Sequence, residues 1–111
     1  MTFREYQIEA RRTQNPDLTP RERREHALWG LSSEVGEVCG IHQKLHQGHN
    51  LNDLTPIRKE IGDCLWMIAE LCDVYGFDMG SIAEENIAKL RKRYKDGFTV
   101  NESLHREAGD I

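Results

Sequence analysis

Residues 30–41 read GLSSEVGEVCGI and residues 58–71 read RKEIGDCLWMIAEL; both carry acid–aliphatic–glycine–acid. Glu34 and Glu37 form the first pair, Glu60 and Asp63 the second. At i and i+3, both carboxylates of a pair lie on one helix face about a turn apart. Each pair borders an apolar run, CLWMIA in the second case, so each segment reads as an amphipathic helix. Two such helices joined by a short connection predict an antiparallel hairpin, and that hairpin decides the fold.

The start and stop signals around it are helical too. Thr2, with Glu5 three residues on, predicts a capped first helix over TFREYQIEARRT. Pro16 interrupts it. Thr19, Pro20 and Glu22 then start a second helix that runs to about His46 and ends near HQGHN. Thr55-Pro56 repeats the start signal, opening a third helix to about Tyr75 that stops at Gly76. Asp78 or Ser81 opens a fourth through about Lys95, and the tail TVNESLHREAGDI reads as irregular or docked on a neighbour. No stretch alternates with period two. The expectation is all-α: a four-helix-type bundle in one domain over 1–111, with Ile82, Ile87, Leu90 and Tyr94 of the fourth helix covering one side of the hairpin.

Composition narrows the class. The 111 residues are 31% charged and 7% aromatic, which suits one soluble helical domain with a thin core. A thin core favours a homodimer or homotetramer. A net charge of −4 argues against a nucleic-acid polymer as partner, because neutralising phosphates takes surplus Lys and Arg. TFREYQIEARR is too charged for a secretion signal, and no apolar run reaches the length of a membrane span. The cytoplasm is the expected location. Cys39, Cys64 and Cys72 read as small buried hydrophobes of a reducing compartment.

Two acid pairs on facing helices bring carboxylates toward one point, where they repel unless a cation joins them. Hard oxygen donors suit Mg²⁺, with Mn²⁺ as a substitute. Gly36 and Gly62 each cost about 1 kcal/mol against alanine in a helix interior. The benefit expected of them is close helix approach. The competing reading is ordinary solvated acid, since 19 acids produce several such pairs by chance. On the fourth helix, Asn86, Lys89 and Arg93 follow i, i+3, i+7 and form one stripe beside the apolar face, suited to phosphate. Lys44 is a further phosphate candidate.

Other conspicuous residues take blander readings. Trp29 and Trp66 read as core aromatics, and Glu70 as a solvated helix residue. His42 and His46 stand at i, i+4, but zinc is disfavoured. A ferritin-like di-iron site needs Glu-x-x-His, but Glu34 and Glu60 are followed by Glu37 and Asp63. A non-catalytic helical interaction module remains an alternative.

Taken together, GLSSEVGEV, KLHQGHNL, IRKEIGDCLWMIAEL, ENIAKLRKRYKDGF and ESLHRE resemble the MazG-like all-α nucleoside triphosphate pyrophosphohydrolases over most of the chain. Lys95 stands where relatives often have Pro, and Met67 where an aromatic often follows the Trp. The resemblance implies Mg²⁺-dependent hydrolysis of (deoxy)nucleoside triphosphates between the α- and β-phosphates, giving a nucleoside monophosphate and pyrophosphate. It implies that Glu34, Glu37, Glu60 and Asp63 hold the metal, and that Asn86, Lys89 and Arg93 take phosphate. Phosphoribosyl-ATP pyrophosphohydrolase activity is the alternative within the same superfamily.

Overall fold

The computed structural model describes residues 1–50 and 52–111; Leu51, inside the short connection expected between the second and third helices, lies outside the described residues. The described residues are helical, with no strand among them: α1 (Phe3–Ala10), a 3₁₀ turn (Arg11–Thr13), α2 (Pro20–His46), α3 (Thr55–Tyr75), α4 (Met79–Arg93) and a short α5 (Val100–Leu104). The first two starts form as their capping boxes dictate. Thr2 and Glu5 exchange side-chain and backbone bonds, and so do Thr19 and Glu22. The third differs: Thr55 is already helical, and the Asp53 carboxylate accepts from its N–H and hydroxyl. Gly76 ends α3 with φ of 72°, a left-handed value that favours glycine. Asp78, rather than Ser81, caps α4.

α2 and α3 form the main packed pair. Their contacts run in opposite order: His26 meets Glu70, Gly30 meets Met67, and Glu34 meets Glu60 and Asp63. The hairpin is therefore antiparallel. Its close approach lies at Gly30, where an added Cβ would stand 2.5 Å from Met67 Sδ and 2.7 Å from Cε. Gly36 and Gly62 have nothing within 4 Å of an added Cβ, so the close approach expected of them belongs to Gly30.

α1 is fastened to the far end of α3 by a polar network. Buried Gln7 donates to Asp73 and to the Phe77 carbonyl, and accepts from the Met79 N–H. Arg11 and Gln14 also donate to Asp73. Burial pushes the Asp73 carboxyl up, but the bonds from Arg11, Gln14 and Gln7 outweigh it and hold the group below the usual aspartate range. Around this network Ala10, Ala69, Cys72 and Met79 form a small core, flanked by Tyr6, Leu65 and Trp66.

α4 does not cover the hairpin. It packs on α1, and no other helix packs substantially against it, so Ile82 and Ile87 stay exposed. The physical reason is the Gln7–Met79 bond, which ties the start of α4 to α1 and leaves the rest to project. The radius of gyration is 17.4 Å, against about 13 Å for a compact chain of this length. Trp29 is 70% exposed and Cys39 is exposed too, contrary to the core roles expected of both. Glu70 shows the reverse error. Its side chain is fully buried, one oxygen bonded to His26 Nδ1 and the other without a partner among the described residues.

Candidate metal centre

The antiparallel register sets Glu34 on α2 opposite Glu60 and Asp63 on α3. One carboxylate oxygen from each lies within 4.8 Å of the others. The helical repeat brings Glu60 and Asp63 onto one face, and the hairpin brings Glu34 to it. Glu34 and Glu60 are half-buried and Asp63 exposed, so the cluster opens to solvent on the Asp63 side. The Glu34 carboxyl is held above the usual glutamate range. Hydrogen bonding to Glu60 is the first cause, followed by burial and by the charges of Asp63, Glu60 and Glu37. Lys or Arg forms no ion pair with any of the three among the described residues. The donor set is hard, anionic and uncompensated, which fits a divalent cation.

Glu37 stands outside the cluster. It is exposed, a turn beyond Glu34, and its charge contributes to raising Glu34 without its oxygen joining the other three. Three of the four acids expected as ligands are thus brought together, with Glu37 beside them. Cys64 sits beside them with its thiol pushed up by burial and then by the charges of Glu34, Asp63 and Glu60, the opposite of an activated nucleophile.

These elements match a known domain. Residues 23–98, more than half of the chain, match the MazG nucleotide pyrophosphohydrolase domain. The chain belongs to the MazG family. Membership supports a hydrolase acting on nucleotides as the general activity, and MazG proteins are generally metal-dependent. Comparison with curated proteins and with solved structures returned no match.

The phosphate candidates of this MazG chain lie elsewhere. Asn86, Lys89 and Arg93 are on α4, which leaves the hairpin by way of α1. Asn86 and Lys89 are exposed, whereas Arg93 forks onto Asp110 with both nitrogens at 2.7 Å. Lys44 is exposed in the last turn of α2, ten residues past Glu34, or about 15 Å along the axis. None of the four cationic or amide candidates is brought to the acid cluster within this chain by helix packing.

Two features escaped the sequence reading. Trp66 donates from Nε1 to Thr13 Oγ1 and meets the His26 ring edge-on, so it braces the Glu70–His26 pair. The i+7 spacing of Glu70 from Asp63 was the available signal, since it puts both on one stripe of α3. The Arg93–Asp110 clamp had none, because its partners are separated by a turn and a short helix. No helix among the described residues is long and apolar enough to cross a membrane.

Proposed function

We propose that this MazG domain hydrolyses (deoxy)nucleoside triphosphates between the α- and β-phosphates. Water attacks the α-phosphorus, the bond to the bridging oxygen breaks, and pyrophosphate leaves beside a nucleoside monophosphate. The gathering of Glu34, Glu60 and Asp63 from two acid pairs carries this reading. Glu34, Glu60 and Asp63 would hold Mg²⁺, with Mn²⁺ as a substitute; when bound, the ion supplies charge neutralisation for the polyphosphate. Glu37, exposed and a turn away, is suited to take the proton of the attacking water or to complete the ligand set.

Asn86, Lys89 and Arg93 bind phosphate in this proposal, with Lys44 as a further contact. Because α4 projects from its own hairpin, the stripe serves the acid cluster of a second copy, in a homodimer or homotetramer. Surface area supports association. The chain exposes 8499 Å², whereas a compact monomer of this mass exposes about 6,300 Å². The excess is of the size that obligate interfaces bury, about 2,000–5,000 Å² in total. Leu28 and Val35 on α2, and Ile61 and Ile68 on α3, repeat at i, i+7 and remain exposed, an apolar seam for the partner.

The test is a panel of ribo- and deoxyribonucleoside triphosphates with and without Mg²⁺, with pyrophosphate resolved from orthophosphate. Nucleoside monophosphate plus pyrophosphate, dependent on the metal, is expected. Orthophosphate alone, or no product across the panel, contradicts the proposal.

A further inference from the structure

The basic stripe of α4 already holds an anion, and the anion comes from the same chain. Arg93 donates from Nε to one Asp110 oxygen and from Nη2 to the other, 2.7 Å each. Their side chains are only 9% and 15% exposed, the best-covered ion pair between Arg and a carboxylate among the described residues. Hydrogen bonding to Arg93 holds the Asp110 carboxyl below its usual range, and Arg106 and Lys89 add to that. Lys92 lies 3.8 Å from Glu107, so a second acid of the same segment faces a second cation. Between this segment and α4 lies a cavity of about 530 Å³, bordered by Lys89, Lys92, Arg93 and Arg106. That volume is within the range of small-ligand sites.

A guanidinium has two bidentate edges; Asp110 takes the Nε–Nη2 edge of Arg93, whose side chain is only 9% exposed, and carboxylate and phosphate both fit that edge through two parallel hydrogen bonds. They cannot occupy it together. We propose that residues 105–111 are an internal competitor: Asp110 occupies the Arg93 fork and must leave before a polyphosphate can take it. This rests on the reading of Lys89 and Arg93 as phosphate donors and adds the condition under which Arg93 becomes available. The segment is held in a way that permits release. Apart from Arg93–Asp110, its polar tie to α4 is Lys92–Glu107, an exposed pair of the kind that contributes little. Gly109, with φ of 85°, adopts the left-handed turn that delivers Asp110 to the fork.

Competition lowers apparent affinity by the fraction of chains whose fork is open. The probe is inorganic tripolyphosphate, titrated calorimetrically in EDTA at fixed ionic strength into wild type, Asp110→Asn, Glu107→Gln and Lys89→Ala. Asp110→Asn and Glu107→Gln each remove one negative charge, but only the first frees the fork. Asp110→Asn is expected to bind about fivefold tighter or more, and Glu107→Gln less than about twofold tighter. If Asp110→Asn binds no tighter than Glu107→Gln while Lys89→Ala weakens binding, the phosphate reading stands and the competitor is refuted. If neither wild type nor Asp110→Asn binds tripolyphosphate, the phosphate reading itself fails and the competitor with it. Should Asp110→Asn loosen the fold, wild type gives the second readout. The Arg93 Nε–H resonance is expected to shift as tripolyphosphate replaces Asp110, and an unmoved resonance at saturation overturns the proposal.

Discussion

The two charged regions of this MazG domain are built on opposite plans. On the hairpin, Glu34, Glu60 and Asp63 face one another with no Lys or Arg ion pair among the described residues, and Glu34 is held above the usual glutamate range by hydrogen bonding to Glu60, then by burial and the neighbouring charges. On α4, two of the cations, Arg93 and Lys92, are answered from within the chain by Asp110 and Glu107. Under the proposed function, the hairpin would be the metal end of the site and α4 its guarded phosphate end.

The largest expected effect tests the unpaired side. Asp63→Asn or Glu34→Gln should lower turnover by about three orders of magnitude or more, the loss typical of a removed electrostatic group at the reacting centre. The helical circular-dichroism spectrum should be unchanged, because both substitutions relieve repulsion. Turnover that survives either substitution breaks the comparison at its hairpin end.

Next comes metal addition. A cation bound by the folded cluster and not by the unfolded chain stabilises by mass action, about 2.7 kcal/mol at a hundredfold excess over Kd. Thermal melts with Mn²⁺ or Mg²⁺ should therefore shift upward in wild type and much less in Asp63→Asn.

A comparable effect comes from the buried acid that is paired. Glu70 has His26 as its one bonded neighbour among the described residues, so His26→Ala should cost about 1–3 kcal/mol in urea unfolding. A His26→Leu/Glu70→Leu double variant should recover much of that loss, since replacing both partners removes the buried polar group.

Legibility in the sequence followed the range of the interactions. Thr2 with Glu5 and Thr19 with Glu22 act over three residues, and both boxes form. The acid pairs needed only helix periodicity and an antiparallel hairpin, and three of their four members meet. What failed depended on tertiary contact. Glu70 looked solvated by residue type, but a stripe shared with Trp66 and covered by His26 buries it. The glycines were assigned from their place beside the acids, whereas approach is decided by the facing side chain, Met67 at Gly30. The course of α4 depended on Gln7, a polar residue whose bonds to Asp73, Phe77 and Met79 have no periodic signature.

The smallest expected effect concerns that same anchor. The Asp73 carboxyl is depressed in the folded state relative to its ordinary value of about 3.9. Its contribution to stability is therefore present above that value and lost as pH falls through the lower folded one. Acid-unfolding curves of wild type should steepen in that window, and Asp73→Asn should flatten them. An unchanged acid limb would mean that α1 is not held through Asp73.

The most direct measurement of the central claim is crystallographic. Crystals grown with Mn²⁺ should give an anomalous peak bounded by oxygens of Glu34, Glu60 and Asp63, and the peak should vanish in Asp63→Asn. A peak elsewhere, or none at Mn²⁺ concentrations that support turnover, would contradict the assignment of these three carboxylates as the metal centre.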